Sequence, residues 1–135
     1  MAKVAIAQRN RQLDALTARL NSGVLRIYSG TKPATADTAL AGNTLLATLT
    51  FGATAFAAAT GATATANAIV QDSSAAANGT ATFARLYETG GTVAVLDVTV
   101  GTSGTELIMS SVTVTTGLVV QISSLVLVQP DGTGI

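Results

Sequence analysis

Apolar residues recur at helical spacing near the start of the chain. Ile6, Leu13, Leu16 and Leu20 fall on one stripe at steps of 7, 3 and 4, while Arg9, Arg11, Gln12 and Arg19 lie mostly off it. The spacing predicts a helix over residues 3–20. Asn21-Ser22-Gly23 is expected to close it, with Gly or Asn taking the left-handed conformation that ends helices. A lone helix of this length is marginal in water, so the narrow stripe must pack on something.

After Gly23 the period shortens to two. Residues 24–28 alternate, with Leu25 and Ile27 on one face and Arg26 and Tyr28 on the other. Ser29-Gly30-Thr31-Lys32-Pro33 opens a loop. Residues 43–51 predict a second strand with Leu45, Ala47, Leu49 and Phe51 on one face and Thr48 and Thr50 on the other, and residues 62–69 a third, poor in bulk. Residues 71–79 read as a polar loop. Residues 80–87 and 92–100 flank Glu88-Thr89-Gly90-Gly91, the pattern of a hairpin. Gly101-Thr102-Ser103-Gly104 is the next turn, and strands follow at 106–110, 112–115 and 118–128. Short strands split by glycine turns, with no helical pattern between them, predict a mainly β fold: an antiparallel β-sandwich or jelly roll preceded by one N-terminal α-helix. The expected organisation is a helical arm over residues 1–22, a β body over 23–129 and a loose tail over 130–135.

Composition adds a constraint on packing. Ala, Gly, Ser and Thr fill 69 of the 135 positions, 25 of them Ala. Side chains this small bury little area each, at roughly 25 cal/mol per Å² of apolar surface, so burial against a partner would help. Charge is balanced overall but unevenly placed. Residues 1–36 carry six cations against Asp14, and residues 37–135 carry Arg85 against six acids, which gives +5 and −5. A basic arm of this kind could seek an acidic surface, including that of another copy. Between Asp37 and Asp72 lie 34 residues without a charge. Exposed, such a strand surface would be an aggregation hazard, so either the chain's own core or an assembly contact is expected to cover it.

The search for chemistry returns little. The sequence has no Cys and no His, so disulfides, thiol chemistry and an ordinary catalytic triad are excluded. Asp72, Glu88, Asp97 and Glu106 stand apart in sequence, most beside turns, and neither metal-ligand spacing nor a phosphate-binding glycine motif occurs. No catalytic residue, cofactor or metal is expected. Asp97 differs, because it falls inside a strand and could pair with Arg85 across the hairpin. The five aromatics are Tyr28, Phe51, Phe56, Phe83 and Tyr87, without Trp, too few for a stacking platform. The arm's few cations favour a protein partner over nucleic acid. No run of about 18 or more residues has the pattern of a membrane helix, so a soluble protein is expected. The candidate interface residues are Arg9, Arg11, Leu13, Leu16, Arg19, Leu20, Arg26 and Tyr28.

The stretch Leu25-Arg26-Ile27-Tyr28-Ser29-Gly30-Thr31-Lys32-Pro33-Ala34, with Ala36-Asp37-Thr38-Ala39-Leu40 and Gly42-Asn43-Thr44-Leu45-Leu46-Ala47-Thr48-Leu49-Thr50-Phe51, resembles small structural proteins of tailed bacteriophages. The helix ending in Leu-Asn-Ser-Gly and the later Val100-Gly101-Thr102-Ser103-Gly104 fit the same type, so the likeness covers most of residues 13–130. It implies a non-enzymatic decoration or cement protein on the outer surface of the phage head, made in the host cytoplasm. The implied partners are the major capsid protein and further copies of itself. A tail or head–tail junction component and a host-surface adsorption module are the alternatives. On this view the arm reaches a neighbour, and removing residues 1–22 would leave the β fold intact.

Overall fold

Strands dominate the computed structural model, in which residues 3–129 are described. Helix α1 (Ile6–Ala18) is followed by β1 (Val24–Tyr28), β2 (Leu45–Phe51), β3 (Thr63–Thr65), β4 (Ile69–Val70) and β5 (Gly79–Thr80). Then come β6 (Phe83–Tyr87), β7 (Ala94–Gly101), β8 (Leu107–Ile108), β9 (Thr113–Val114) and β10 (Ser124–Val128). Eight strands form one sheet in the order β3-β10-β8-β7-β6-β1-β2-β4, and β5 pairs with β9 in a separate ribbon. The expected tail, residues 130–135, lies outside the described residues.

The sheet must curl. Its two end strands, β3 and β4, are separated in sequence only by Ala66-Asn67-Ala68, so Thr65 and Ile69 lie within about 14 Å of each other at full chain extension. The ring is drawn together just beyond β4. Asp72 and Val120 exchange backbone hydrogen bonds of 2.9 and 2.8 Å, and Val120 lies on the run leading into β10. Leu25, Ile27, Ala47, Leu49, Leu86, Val98, Leu107 and Leu125 fill the interior.

The hairpin is as expected: β6 and β7 pair antiparallel, with Arg85 opposite Asp97. Other expectations change. The sheet is mixed rather than wholly antiparallel, because β7 and β8 run parallel, Val100 opposite Leu107 and Gly101 opposite Ile108. The pairing is only two residues long. Gly104, at φ +71°, lets residues 102–106 turn tightly, and the Glu106 carboxylate accepts the Thr99 N–H at 3.0 Å. The strand expected at 62–69 divides into β3 and β4, which sit at opposite ends of the sheet. In β2 a register shift opposite Ile27 and Tyr28 turns Leu46 fully inward and leaves Leu45 half-buried, where strict alternation placed Leu45 inside.

The helix is part of this body rather than a detached arm. Leu13 and Leu20 are buried in the common core and Leu16 packs at its margin, whereas Ile6 is 48% exposed. A polar row beside the stripe does further work. Asn10 Oδ1, Asp14 Oδ1 and Asn21 Oδ1 accept the backbone N–H groups of Ala62, Ala59 and Ala55 at 2.8, 2.8 and 2.9 Å. The Ala-rich segment between β2 and β3, which has few ladder partners of its own, is thereby held down. The helix ends differently from expectation, since the left-handed residue is Ser22, at φ +57°. Gly23 is required for another reason. A Cβ there would stand 2.1 Å from the Tyr87 carbonyl oxygen and 2.9 Å from that of Leu20, both backbone atoms that cannot swing aside.

Leu13→Ala and Leu20→Ala should therefore each lower the unfolding free energy by about 2–5 kcal/mol, the range for emptied leucine sites. A chain lacking residues 1–22 should lose its cooperative urea transition, followed by circular dichroism, instead of keeping the β fold.

Candidate functional site

The central strands are covered on both faces. Every residue of β6 is buried, Arg85 included. On the face turned away from the core, Thr48, Arg26, Arg85 and Asp97 form one row across β2, β1, β6 and β7. Two arginines side by side would repel, and like charges on opposed strand positions are destabilising. They diverge instead. Arg85 donates from Nε and Nη2 to the two Asp97 oxygens at 2.7 and 3.0 Å, and Nη2 also donates to the Thr35 carbonyl at 3.3 Å. Arg26 donates from Nη1 to the Gly91 carbonyl at 2.8 Å and lies 4.8 Å from the centre of the Tyr87 ring.

Aromatic side chains frame the row. The Tyr28 ring stacks on Phe83 at 5.4 Å, and its hydroxyl meets that of Tyr87 at 3.3 Å. Burial, reinforced by the Tyr87 contact, pushes the Tyr28 hydroxyl up to about 12. Hydrogen bonds to Asp97 hold the Arg85 guanidinium above its ordinary range, against the opposing effect of burial. The loop between β1 and β2 folds over this face. Asn43 Nδ2 donates to the Ser29 and Thr31 carbonyls, both at 3.0 Å, and Thr82 Oγ1 donates to Gly30 O at 2.6 Å.

This cluster is a clasp. Its cations face an anion, a carbonyl and a ring, and both side chains of the Arg85–Asp97 pair are only 6% exposed. The pairing considered between Arg85 and Asp97 is present in bidentate form. Among the described residues, no three acidic or otherwise metal-ligating side chains stand together, and no helix is long and apolar enough to cross a membrane.

The candidate interface residues separate into three groups by burial. Leu13, Leu20 and Tyr28 are buried inside the chain itself and cannot also meet a partner, which corrects the expectation for those three. Arg26 is half-buried against Gly91 and Tyr87, where a Cβ at Gly91 would stand 2.6 Å from its Nη2. Arg9 and Leu16 are half-buried along the edge of α1. Arg11 and Arg19 are exposed; Arg11 donates to Gln8 Oε1 at 3.3 Å, and Arg19, 69% exposed, reaches Glu88 at only 3.9 Å. Of these eight residues, Arg11 and Arg19 are the ones left fully exposed. The row Asn10, Asp14, Asn21 is not singled out by the sequence, where Asn21 reads only as part of the helix stop; the offset of Asn10 and Asp14 from the leucine stripe is the available signal.

The chain matches no protein-family model, and comparisons with curated proteins and with solved structures give no match either.

Asp97→Ala should destabilise the fold by about 3–5 kcal/mol, because it strands a buried guanidinium. Adding Arg85→Leu should recover much of that loss, read as the denaturation midpoint in urea. Alkali should act through Tyr28. The folded chain keeps this hydroxyl protonated up to about 12, while a free tyrosine ionises at 10.0. Its contribution is therefore complete below pH 10 and lost as pH rises from 10 towards 12. Stability measured across that window should fall more steeply for the wild type than for Tyr28→Phe.

Proposed function

We propose that the protein is a non-enzymatic structural component of a tailed-phage particle, a capsid decoration or cement protein seated on the outside of the head. Phage role and partner come from the resemblance of residues 25–51. The observation that carries the passive reading is the disposition of charge. The buried charged groups of the sheet are engaged with one another or with backbone, and two exposed cations, Arg11 and Arg19, stand on α1 and at its C-terminal end. A surface of that kind serves docking by electrostatic complementarity, with register and approach rate as its main gains.

The mechanism has two parts. The curled sheet is a rigid body held by hydrogen bonds that need no ligand. The outward face of α1, with Arg11 and Arg19 and with Arg9 at its edge, docks on an acidic patch of the major capsid protein. Copies also contact one another. The body itself is read as a β-sandwich in which the β5–β9 ribbon begins a second layer; the burial of Val114 in the common core supports this. Nucleic acid and membrane are not partners on this reading.

Copy number in purified particles tests the role. A content comparable to that of the major capsid protein is expected. A small fraction of it would favour a tail or junction component, and absence from the particle would reject the proposal. Charge reversal tests the mechanism. Arg11→Glu with Arg19→Glu should prevent incorporation, while unfolding free energy stays within about 0.5 kcal/mol of the wild type, as for ordinary surface changes. Undiminished incorporation would remove the helix from the interface.

A further inference from the structure

The sequence holds five asparagines, and the residue after each sets how readily its carboxamide meets its own backbone. Asn10, Asn21, Asn43 and Asn67 precede Arg11, Ser22, Thr44 and Ala68, whose side chains crowd the following peptide nitrogen. Asn78 precedes Gly79, which leaves that nitrogen open to attack the Asn78 carboxamide. Asn78 is also exposed, so water and solvent base reach it.

Both members of this labile pair have a place in the fold. The Thr116 N–H donates to Asn78 Oδ1 at 2.7 Å, across 38 residues of chain. A Cβ on Gly79 would stand 3.0 Å from Leu46 Cδ2 and 3.5 Å from Ser29 Cβ, and Leu46 is fully buried. The site therefore has little room for a larger residue. The same surroundings hold the pair out of reaction. Gly79 and Thr80 pair with Val114 and Thr113. The Ala81 N–H donates to Val112 O at 2.8 Å, and the alternation of the ladder turns the Gly79 N–H towards Val114. On the other side of Asn78, the Gly117 N–H donates to Ala75 O at 2.9 Å and the Ala75 N–H to Leu118 O at 2.8 Å. The attacking nitrogen is thus tied to β9, and the carboxamide is tied to Thr116.

We propose that Asn78–Gly79 is a self-modification site gated by the β5–β9 ribbon, reacting only in molecules whose ribbon has opened. The Gly79 peptide nitrogen, its proton passed to solvent base, bonds to Asn78 Cγ. The Cγ–Nδ2 bond breaks, and the nitrogen takes a proton from solvent and leaves as ammonia, which closes a cyclic imide. Water then adds to either imide carbonyl, one C–N bond breaks, and aspartate or isoaspartate results. No oxidant or reductant is needed. In isoaspartate the main chain runs through Cγ and is longer by one methylene, so the register of Gly79 with Val114 cannot be rebuilt. Opening and reclosing are fast beside this chemistry, so the reaction rate follows the open population. The inference goes beyond the virion role and does not rest on it.

The purified chain is kept in mildly alkaline buffer made with heavy-oxygen water, folded in one sample and unfolded by guanidinium chloride in the other. In denaturant, Asn78 should be the first asparagine to take up labelled oxygen, as located by fragmentation mass spectrometry. Each event also moves the formal net charge from zero to −1, which isoelectric focusing follows. The folded sample should react at least about tenfold more slowly, since several backbone hydrogen bonds must break first. Thr116→Pro, which removes the N–H that holds Asn78, should speed the folded reaction and leave the rate in denaturant unchanged. If that variant does not fold, the wild-type comparison decides alone. Equal rates in the folded and unfolded wild type, or a folded Thr116→Pro chain no faster than wild type, would overturn the gating. Another asparagine reacting first in denaturant would overturn the site.

Discussion

The ion pair between Arg85 and Asp97 is what allows the central strands to be buried on both faces. A sheet with one solvated face can leave its outward side chains in water. Here the loop between β1 and β2 covers that face, so a guanidinium on β6 must find its partners inside the fold. Asp97 supplies both oxygens from the next strand, at positions that the hairpin register sets directly opposite. The geometry meets the main condition under which a buried pair is tolerated, namely bidentate contact, and Nη2 is further bonded to the Thr35 carbonyl. With the charge answered, Tyr28, Phe83 and Tyr87 can close over the row, and the loop has an apolar surface to lie on. Hydrophobic burial on this face thus rests on an electrostatic match.

A second constraint comes from the small side chains. Alanine-rich segments cannot be held by bulk, since each methyl contributes little buried area. The region between β2 and β3 is fixed instead by polar side chains of the helix and of Asn21 just after it, which accept backbone N–H groups at Ala62, Ala59 and Ala55. The helix therefore serves the fold twice, with leucines filling the core and an amide–carboxylate row standing in for a missing strand. Much of the uncharged stretch before Asp72 is covered from within the chain. Leu46, Ala47, Leu49, Phe51, Phe56 and Ala64 are all buried, which removes the need for a partner to shield them.

How far the sequence could be read follows from the range of each interaction. The hairpin and the Arg85–Asp97 pairing were legible because both depend on a short turn and a two-residue period. The leucine stripe was legible as helix, yet its destination was not: composition suggested an arm, whereas Leu13 and Leu20 belong to the core. The burial of Tyr28 is not legible, because its side chain packs on Phe83 and Tyr87 of β6, far along the chain, where local periodicity gives no sign of it. The parallel β7–β8 contact was hidden by the ordinary expectation that a tight glycine turn reverses a strand. The backbone contacts of Asn10, Asp14 and Asn21 are not legible in the sequence, since side-chain bonds to distant backbone leave no pattern of their own.

The two features left on the surface differ in kind, and that difference bears on assembly. The helix face is cationic and solvated, so its attraction acts at a distance and weakens with salt. The groove floored by Met109, Val114 and Val120 has no ionisable residue in its lining, so an attraction there acts only at contact and is little affected by salt. In the role proposed here, attachment through the helix would weaken as salt is raised, whereas any contact at the groove would not.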